Sequence, residues 1–269
     1  MSYPEITSLT NARIKKVMQL KDRKERDRTG LTLVEGQREI SLALEAGVAV
    51  RQVYLCPAYL EQAERERWKK ICTQLSAPLF EISEKVYDRM TFGQREAGIL
   101  AVCQPKRMTL KELSLTAEPL CIIVEGLEKP GNLGAILRTC DAGGVDVLIL
   151  CQGQTDIYNP NCIRASLGTV FTVPVIETTN PEAHAFLMDR KIPIFGTWPK
   201  AKTMYTQMDY GLSSALVLGS EHAGVSAFWR QRANHLIRIP IRGKGDSLNV
   251  SAAAAICIYK ILEKRYVLR

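Results

Sequence analysis

No apolar run in this chain of 269 residues approaches the roughly 18–20 needed to cross a bilayer, so a membrane-spanning helix is not expected. The opening residues, Met1-Ser-Tyr-Pro-Glu5, lack the basic-then-apolar pattern of a signal peptide, and a cytoplasmic protein is the expectation. Metal-ligand spacing is missing too. His184, His222 and His235 form no H-E-x-x-H pair, and the eight cysteines include no C-x-x-C, so no metal site is expected. Those cysteines (Cys56, Cys72, Cys103, Cys121, Cys140, Cys151, Cys162 and Cys257) are scattered, several of them inside apolar strand-like runs. They fit reduced, buried thiols better than a disulfide framework. Two common phosphate-binding fingerprints are absent. No G-x-G-x-x-G follows a strand, and Gly243-Lys244 is followed by Gly245 instead of Ser or Thr.

What is present is the composition of a soluble globular protein, 46% hydrophobic and 24% charged, with room for two domains and a sizeable core. A formal charge of +8 and a pI near 9.1 suggest an acidic partner, of which nucleic acid is the commonest.

Residues 5–28 contain an amphipathic helical stretch with Ile14, Val17, Met18 and Leu20 near one face. Its tail, Lys21 to Arg28, is dense in mixed charge, which suits either a solvated helix end or a basic arm against phosphates. Strand, helix and strand patterns then follow over Leu31–Val34, Gly36–Ala46 and Val50–Leu55. A charged helix over Tyr59–Cys72, a strand at Pro78–Ile82, a short helix from Ser83 and a strand at Ile99–Cys103 close a small α/β domain, residues 1–107. Residues 108–117 look like a polar linker. A second α/β domain, 118–269, opens with the apolar strand Leu120–Val124. Further runs at Val145–Cys151, Val170–Val175, Pro193–Gly196, Ala215–Leu218 and Leu236–Ile241 alternate with helical segments, and a helix from Leu248 to Lys264 ends it. Continuous apolar strands separated by helices indicate a parallel sheet covered on both faces, with ligands beyond the C-terminal strand ends.

Three loops fall at such ends. In Asn132-Leu-Gly-Ala-Ile-Leu-Arg138, Gly131 and Gly134 allow close backbone approach, and the helix start offers N–H groups to an anion. Arg138 lies about one and two-thirds turns beyond Asn132. Leu218-Gly-Ser-Glu-His-Ala-Gly-Val-Ser226 is a tight polar loop directly after a strand, with Ser226 able to cap a helix. In Ile239-Pro-Ile-Arg-Gly-Lys-Gly-Asp-Ser-Leu-Asn-Val-Ser251, Ser247 is placed to cap the last helix, leaving Asn249 in its first turn without a packing reason.

Together and in order, these stretches, with Tyr158-Asn-Pro and Arg164-Ala-Ser-Leu-Gly168, closely resemble the SpoU (TrmH-like) family of RNA 2′-O-ribose methyltransferases in the SPOUT superfamily. The resemblance covers essentially the whole chain. Its first part, carried by Thr7-Ser8, Asn11, Lys15 and Val34-Glu-Gly-Gln-Arg38, is similar to the family's substrate-recognition domain, a small α/β fold shared with ribosomal kink-turn binders. The resemblance implies a parallel-sheet SPOUT domain tied in a trefoil knot, a homodimer, and S-adenosylmethionine held by Gly219, Ile239 and Leu248, with Thr197 contributing. Arg13, Lys15, Lys16, Arg23, Arg26 and Arg38 are the expected RNA contacts.

Methyl transfer to a ribose requires the 2′-oxygen in line with the donor methyl, and a proton must leave the hydroxyl. An arginine with a pKa above about 12 is a poor base in water but a good phosphate clamp. Arg138 is therefore expected to hold the adjacent phosphate and polarise the hydroxyl, with Asn132, Glu221, Ser247 and Asn249 orienting it and the ribose. The expected substrate is structured ribosomal RNA. Transfer RNA, methylation on a base, and a catalytically silent RNA-binding protein of the same fold are the alternatives.

Overall fold

The computed structural model describes residues 5–92, 97–153, 155–220, 224–245 and 247–267. Its contacts separate two compact units. The first holds the chain through Lys106 and also takes Tyr158–Thr172; the second holds Arg107–Ile157 and the chain from Val173 onward.

In the first unit, β1 (Glu5–Ile6), β2 (Thr32–Glu35), β3 (Ala49–Leu55), β4 (Leu79–Ile82) and β5 (Ile99–Gln104) form a sheet in the order β1-β4-β3-β5-β2. The β1, β4 and β3 strands are parallel, while β5 runs antiparallel to both β3 and β2. The helices are α1 (Ala12–Gln19), α2 (Arg23–Thr29), α3 (Gln37–Glu45), α4 (Gln62–Gln74) and α5 (Glu84–Met90). Ile14, Val17 and Leu20 around α1 and Val86, Tyr87 and Met90 of α5 bury against Leu33, Tyr54, Ile82 and Leu100 of the sheet. Each such side chain contributes roughly 1.5–3 kcal/mol.

The helical stretch expected within residues 5–28 divides into α1 and α2, with the short strand β1 before them. Asp22 caps α2 by accepting from the Lys24 N–H, and Gly30 at φ 67° closes it. The Arg26 guanidinium donates to the Leu20 and Lys21 carbonyls (2.7 and 2.8 Å), which the end of α1 leaves without helical partners.

The second unit is built on seven strands: β6 (Leu120–Glu125), β7 (Val147–Cys151), β8 (Val175–Thr178), β9 (Ile194–Thr197), β10 (Thr203–Met204), β11 (Ser214–Leu218) and β12 (His235–Arg238). Their order is β10-β12-β9-β11-β6-β7-β8, and every neighbouring pair is parallel. Every residue of β6, β7 and β11 is buried, as continuous apolar strands require. With α6 (Pro130–Ala142), α8 (Asn180–Asp189), α9 (Ala227–Arg232) and α10 (Val250–Val267), the expected α/β class and parallel sheet are present; α7 (Pro160–Ala165) falls in the stretch that joins the first unit.

Three details differ from expectation. The apolar run Val170–Val175 is a 3-10 turn over Thr169–Phe171, and β8 starts only at Val175. Gly168 at φ 88° turns the chain there, and α7 belongs to the first unit, where Thr32 Oγ1 donates to the Tyr158 carbonyl (2.7 Å). Residues 108–117 are fastened to the second unit: Leu113 is buried in its core, and Asp146 accepts from Thr116 N–H, Thr116 Oγ1 and Leu120 N–H. No helix among the described residues is long and apolar enough to cross a membrane.

Candidate active site

The C-terminal ends of β9, β11 and β12 and the N-terminal turn of α10 enclose a cleft of about 550 Å³, part of it open to solvent. Thr197, Gly219, Ile239 and Leu248 all line it, joined by Ser247 and by Trp198, Pro199, Ile237 and Arg238. Its loops are stitched together through the backbone. Val225 N–H donates to the Thr197 carbonyl (3.1 Å) and Trp198 N–H to the Ile237 carbonyl (2.9 Å). The Thr197 hydroxyl donates to the Val217 carbonyl (3.1 Å). Two glycines make this close approach possible. A Cβ at Gly219 would stand 2.0 Å from the Gly224 carbonyl oxygen, and one at Gly224, whose φ is +65°, would stand 2.9 Å from the Thr197 carbonyl oxygen. At Gly131 a Cβ would meet nothing within 4 Å among the described residues, so its backbone is open.

A second cleft, of about 620 Å³, shares Gly219, Ser220 and Val250 with the first and is otherwise lined by Glu125 to Lys129 and Asn132. Pro130 opens α6 at the position where its missing N–H costs nothing, which puts Asn132 in the first helical turn at the cleft. Asn249 meets it there, its Nδ2 donating to Asn132 Oδ1 at 3.2 Å. The donor is fixed because Asn249 Oδ1 accepts from Ser251 N–H (2.9 Å) and Ser251 Oγ (2.6 Å). Asn249 is thus the cap of α10, a role expected of Ser247. The helix begins at Val250, with Ala253 N–H bonded to the Asn249 carbonyl, and Ser247 two residues earlier is left to wall the first cleft.

Arg138 is exposed on α6 and lines neither cleft. Six residues at about 100° each put it some 240° around the helix from Asn132, which is why one chain does not bring the two together. Glu221 lies outside the described residues. Ser226 stands at the start of α9 but makes no side-chain cap there; its N–H donates to Glu125 Oε2 (2.9 Å).

Sequence reasoning missed Glu125, a carboxylate only 6% exposed at the end of β6. Besides Ser226 it accepts from Asn180 Nδ2, and Asn180 Oδ1 in turn accepts from Trp229 Nε1 (3.0 Å). Opposite Glu125 in register, Cys151 has its thiol pushed up to about 12 by burial, reinforced by the carboxylates of Glu125 and Glu182. It is protonated at neutral pH and is not a nucleophile. All eight cysteines are buried and free.

In the first unit, Arg13, Lys15 and Lys16 are exposed together on α1, and Arg38 is exposed on α3. The Arg13 guanidinium lies over the Phe80 ring at 4.2 Å. Lys15 lines an open groove with Leu9, Met18, Gln19 and Arg89. Arg23 pairs with Asp27 (3.4 Å). Arg26 is 5% exposed, its guanidinium committed to the carbonyls that end α1, so it is withdrawn from the expected RNA contacts. Among the described residues there is no group of three or more His, Cys, Asp or Glu able to hold a metal ion.

Residues 119–259 match the model of the SpoU rRNA methylase family. The chain belongs to this family. Residues 11–101 match the MRM3-like substrate-binding domain. Among relatives, the chain is 28% identical over 257 residues to the 23S rRNA (guanosine(2553)-2′-O)-methyltransferase RlmP of Bacillus subtilis, spanning 96% of this chain and 98% of that protein. A crystal structure described as an RNA 2′-O ribose methyltransferase superposes with a TM-score of 0.87 at 35% identity, covering 97% of this SpoU-family chain and 99% of the other. The SpoU methyltransferase AviRb from Streptomyces viridochromogenes, in complex with AdoMet, superposes with a TM-score of 0.83 at 27% identity, covering 95% and 98%.

Proposed function

We propose that this protein transfers a methyl group from S-adenosylmethionine to the 2′-hydroxyl of a ribose in ribosomal RNA. The observation that carries the proposal is the pair of clefts that have Gly219, Ser220 and Val250 as a common wall. A donor in one and a ribose in the other meet across that thin wall, which is the proximity that in-line transfer demands. The first cleft fits the cofactor. Its size is right for a small molecule, its apolar lining of Ile237, Ile239 and Leu248 suits an adenine ring, and the missing Cβ at Gly219 lets the Gly224 backbone close against it to shape the wall. When bound, S-adenosylmethionine supplies an electrophilic methyl on a sulfonium centre.

In the second cleft, Asn132, with Asn249 bonded to it, orients the ribose, and Ser247 and Glu221 are the further positioning groups. Arg138 clamps the neighbouring phosphate and polarises the hydroxyl. Since Arg138 faces away from Asn132 on its own chain, the working form is a homodimer in which a second copy brings its Arg138 to the ribose. The exposed face of α10, with Ala252 and Tyr259, supports such pairing. A trefoil knot through the three loops of the first cleft belongs to the same proposal, supported by the crowding at Gly219 and Gly224. RNA binds the first unit along Arg13, Lys15 and Lys16, with Arg23 and Arg38 at its margins, and the ribosomal substrate carries a cytoplasmic location with it.

The test is labelled S-adenosylmethionine offered to unmodified ribosomal and transfer RNA, with nucleoside analysis after digestion. Label in a 2′-O-methylated nucleoside of ribosomal RNA is the expected result. Label on a base, in transfer RNA, or nowhere despite RNA binding would each replace the proposal with one of its alternatives.

A further inference from the structure

Glu125 is the strongest feature that the proposed catalytic groups leave unused. It ends β6, beside β11 in the sheet, and lines the second cleft with Asn132, Gly219 and Ser220. A buried carboxylate is costly unless both oxygens are satisfied. Here Oε1 accepts from Asn180 Nδ2 and Oε2 from Ser226 N–H. The direction of these bonds is forced. The Trp229 indole can only donate, so Asn180 must turn Oδ1 toward it and present Nδ2 to Glu125. Position 125 therefore faces two donors and tolerates neither a neutral acid nor an amide without conflict.

Ser226 is where the loop after β11 ends. That loop leaves the sheet at Leu218, walls both clefts with Gly219 and Ser220, is pinched by the bridge between Ser220 and Gly224, and is held at its far end by Glu125.

We infer that Glu125 is a positioning residue: through Ser226 N–H it fixes the loop that forms the common wall of the two clefts, and with it the register between methyl donor and ribose. This rests on the proposed function. Asn180 and Trp229 act one step further out by aiming the donor that Glu125 requires.

The bonding pattern allows a test by exchange. In Glu125→Gln, one amide N–H must meet either Asn180 Nδ2 or Ser226 N–H, whichever way it turns. In Asn180→Asp, two carboxylates confront each other. In the double variant, the carboxylate moved to position 180 accepts from both Trp229 Nε1 and the new amide at position 125. The oxygen of that amide accepts from Ser226 N–H, so every donor again has an acceptor. Methyl transfer and calorimetric cofactor binding are measured at a temperature where circular dichroism shows each variant folded. Each single variant should lose about 10- to 100-fold in kcat, the scale of one lost hydrogen bond to a charged group. The double variant should recover most of it.

Wild-type kcat in a folded Glu125→Gln, even with a lowered Tm, would overturn the inference and leave Glu125 purely structural. A folded, inactive double variant would overturn it the other way, by showing that the carboxylate is needed at 125 itself. If neither single variant folds, the double variant decides alone. A wild-type protein that transfers no methyl to any RNA would refute the proposed function instead, and calorimetry would still report whether Glu125 shapes the cofactor cleft.

Discussion

The two units use polar side chains in opposite ways. In the second, the candidate groups sit at loop ends on a buried, all-parallel sheet, and backbone bonds or partner side chains fix most of their directions: Thr197 to Val217, Asn249 to Ser251 and Asn132, Glu125 to Ser226. In the first, the cations proposed to meet RNA are long side chains on exposed helix faces, and one of the six expected contacts is consumed by the fold. Chemistry that depends on tenths of an ångström needs preorganised groups. Phosphate recognition needs charge within reach and tolerates mobile side chains.

That contrast is tested most severely at Arg138, a proposed catalytic group that looks like a first-unit residue, exposed and lining neither cleft of its own chain. Arg138→Ala should lower methyl transfer by about 100- to 1000-fold, the range of a lost electrostatic donor at the reacting oxygen, while S-adenosylmethionine binding stays near wild type. Transfer retained at wild-type rate would remove Arg138 from the mechanism and dissolve the case for a second copy at the site.

Gly219→Ala is the next largest effect. Its Cβ would collide with Gly224 backbone at 2.0 Å, and backbone cannot swing aside as a side-chain tip can. Cofactor affinity should fall about 10- to 100-fold, the scale of an overpacking strain, as measured by calorimetry. Unchanged affinity would mean that the backbone approach of Gly219 and Gly224 is looser than the geometry requires.

Where the sequence was legible follows the same division. The parallel-sheet rule pointed to the loops at the strand ends, and the resemblance to the SpoU family then picked out Gly219, Ile239 and Leu248 within them. Glu125, Asn180 and Trp229 did not stand out, because their bonds join residues 55 and 49 positions apart and leave no local pattern. Arg26 was misread for a related reason: its partners are backbone carbonyls, which every sequence has, so a buried cap looked like one more charge in a solvated run. Asn249 was half legible. Its oddity in a first helical turn was visible, yet Ser247 and Asn249 are both good capping residues, and only the start of α10 at Val250 decides between them.

Asn249 separates fold from function in one residue, and comparison with Asn132 divides them. Asn249→Ala loses the cap and the link to Asn132, so it should cost about 1 kcal/mol of stability as well as activity. Asn132→Ala loses the link without the cap, so activity should fall with a Tm shift well below that of Asn249→Ala. Denaturation curves beside initial rates distinguish the two. Equal destabilisation would mean that the link, and not the cap, holds the start of α10.

The smallest effects sharpen the first-unit side of the comparison. Lys15 and Lys16 are exposed on α1, and an alanine at either should leave kcat at saturating RNA unchanged. Each should reduce the slope of log K against log salt by roughly 0.7–0.9 if the residue neutralises a phosphate. Arg26 lies in the same basic segment of sequence but donates to the Leu20 and Lys21 carbonyls from inside the unit. Arg26→Met should therefore leave the salt slope alone and lower stability by about 1–3 kcal/mol, because two carbonyls lose a buried donor. Three neighbouring cations would then divide by partner and not by charge, two reading out in salt dependence and one in melting temperature. An Arg26 variant that shifts the salt slope with no loss of stability would reverse that assignment and return the residue to the RNA surface.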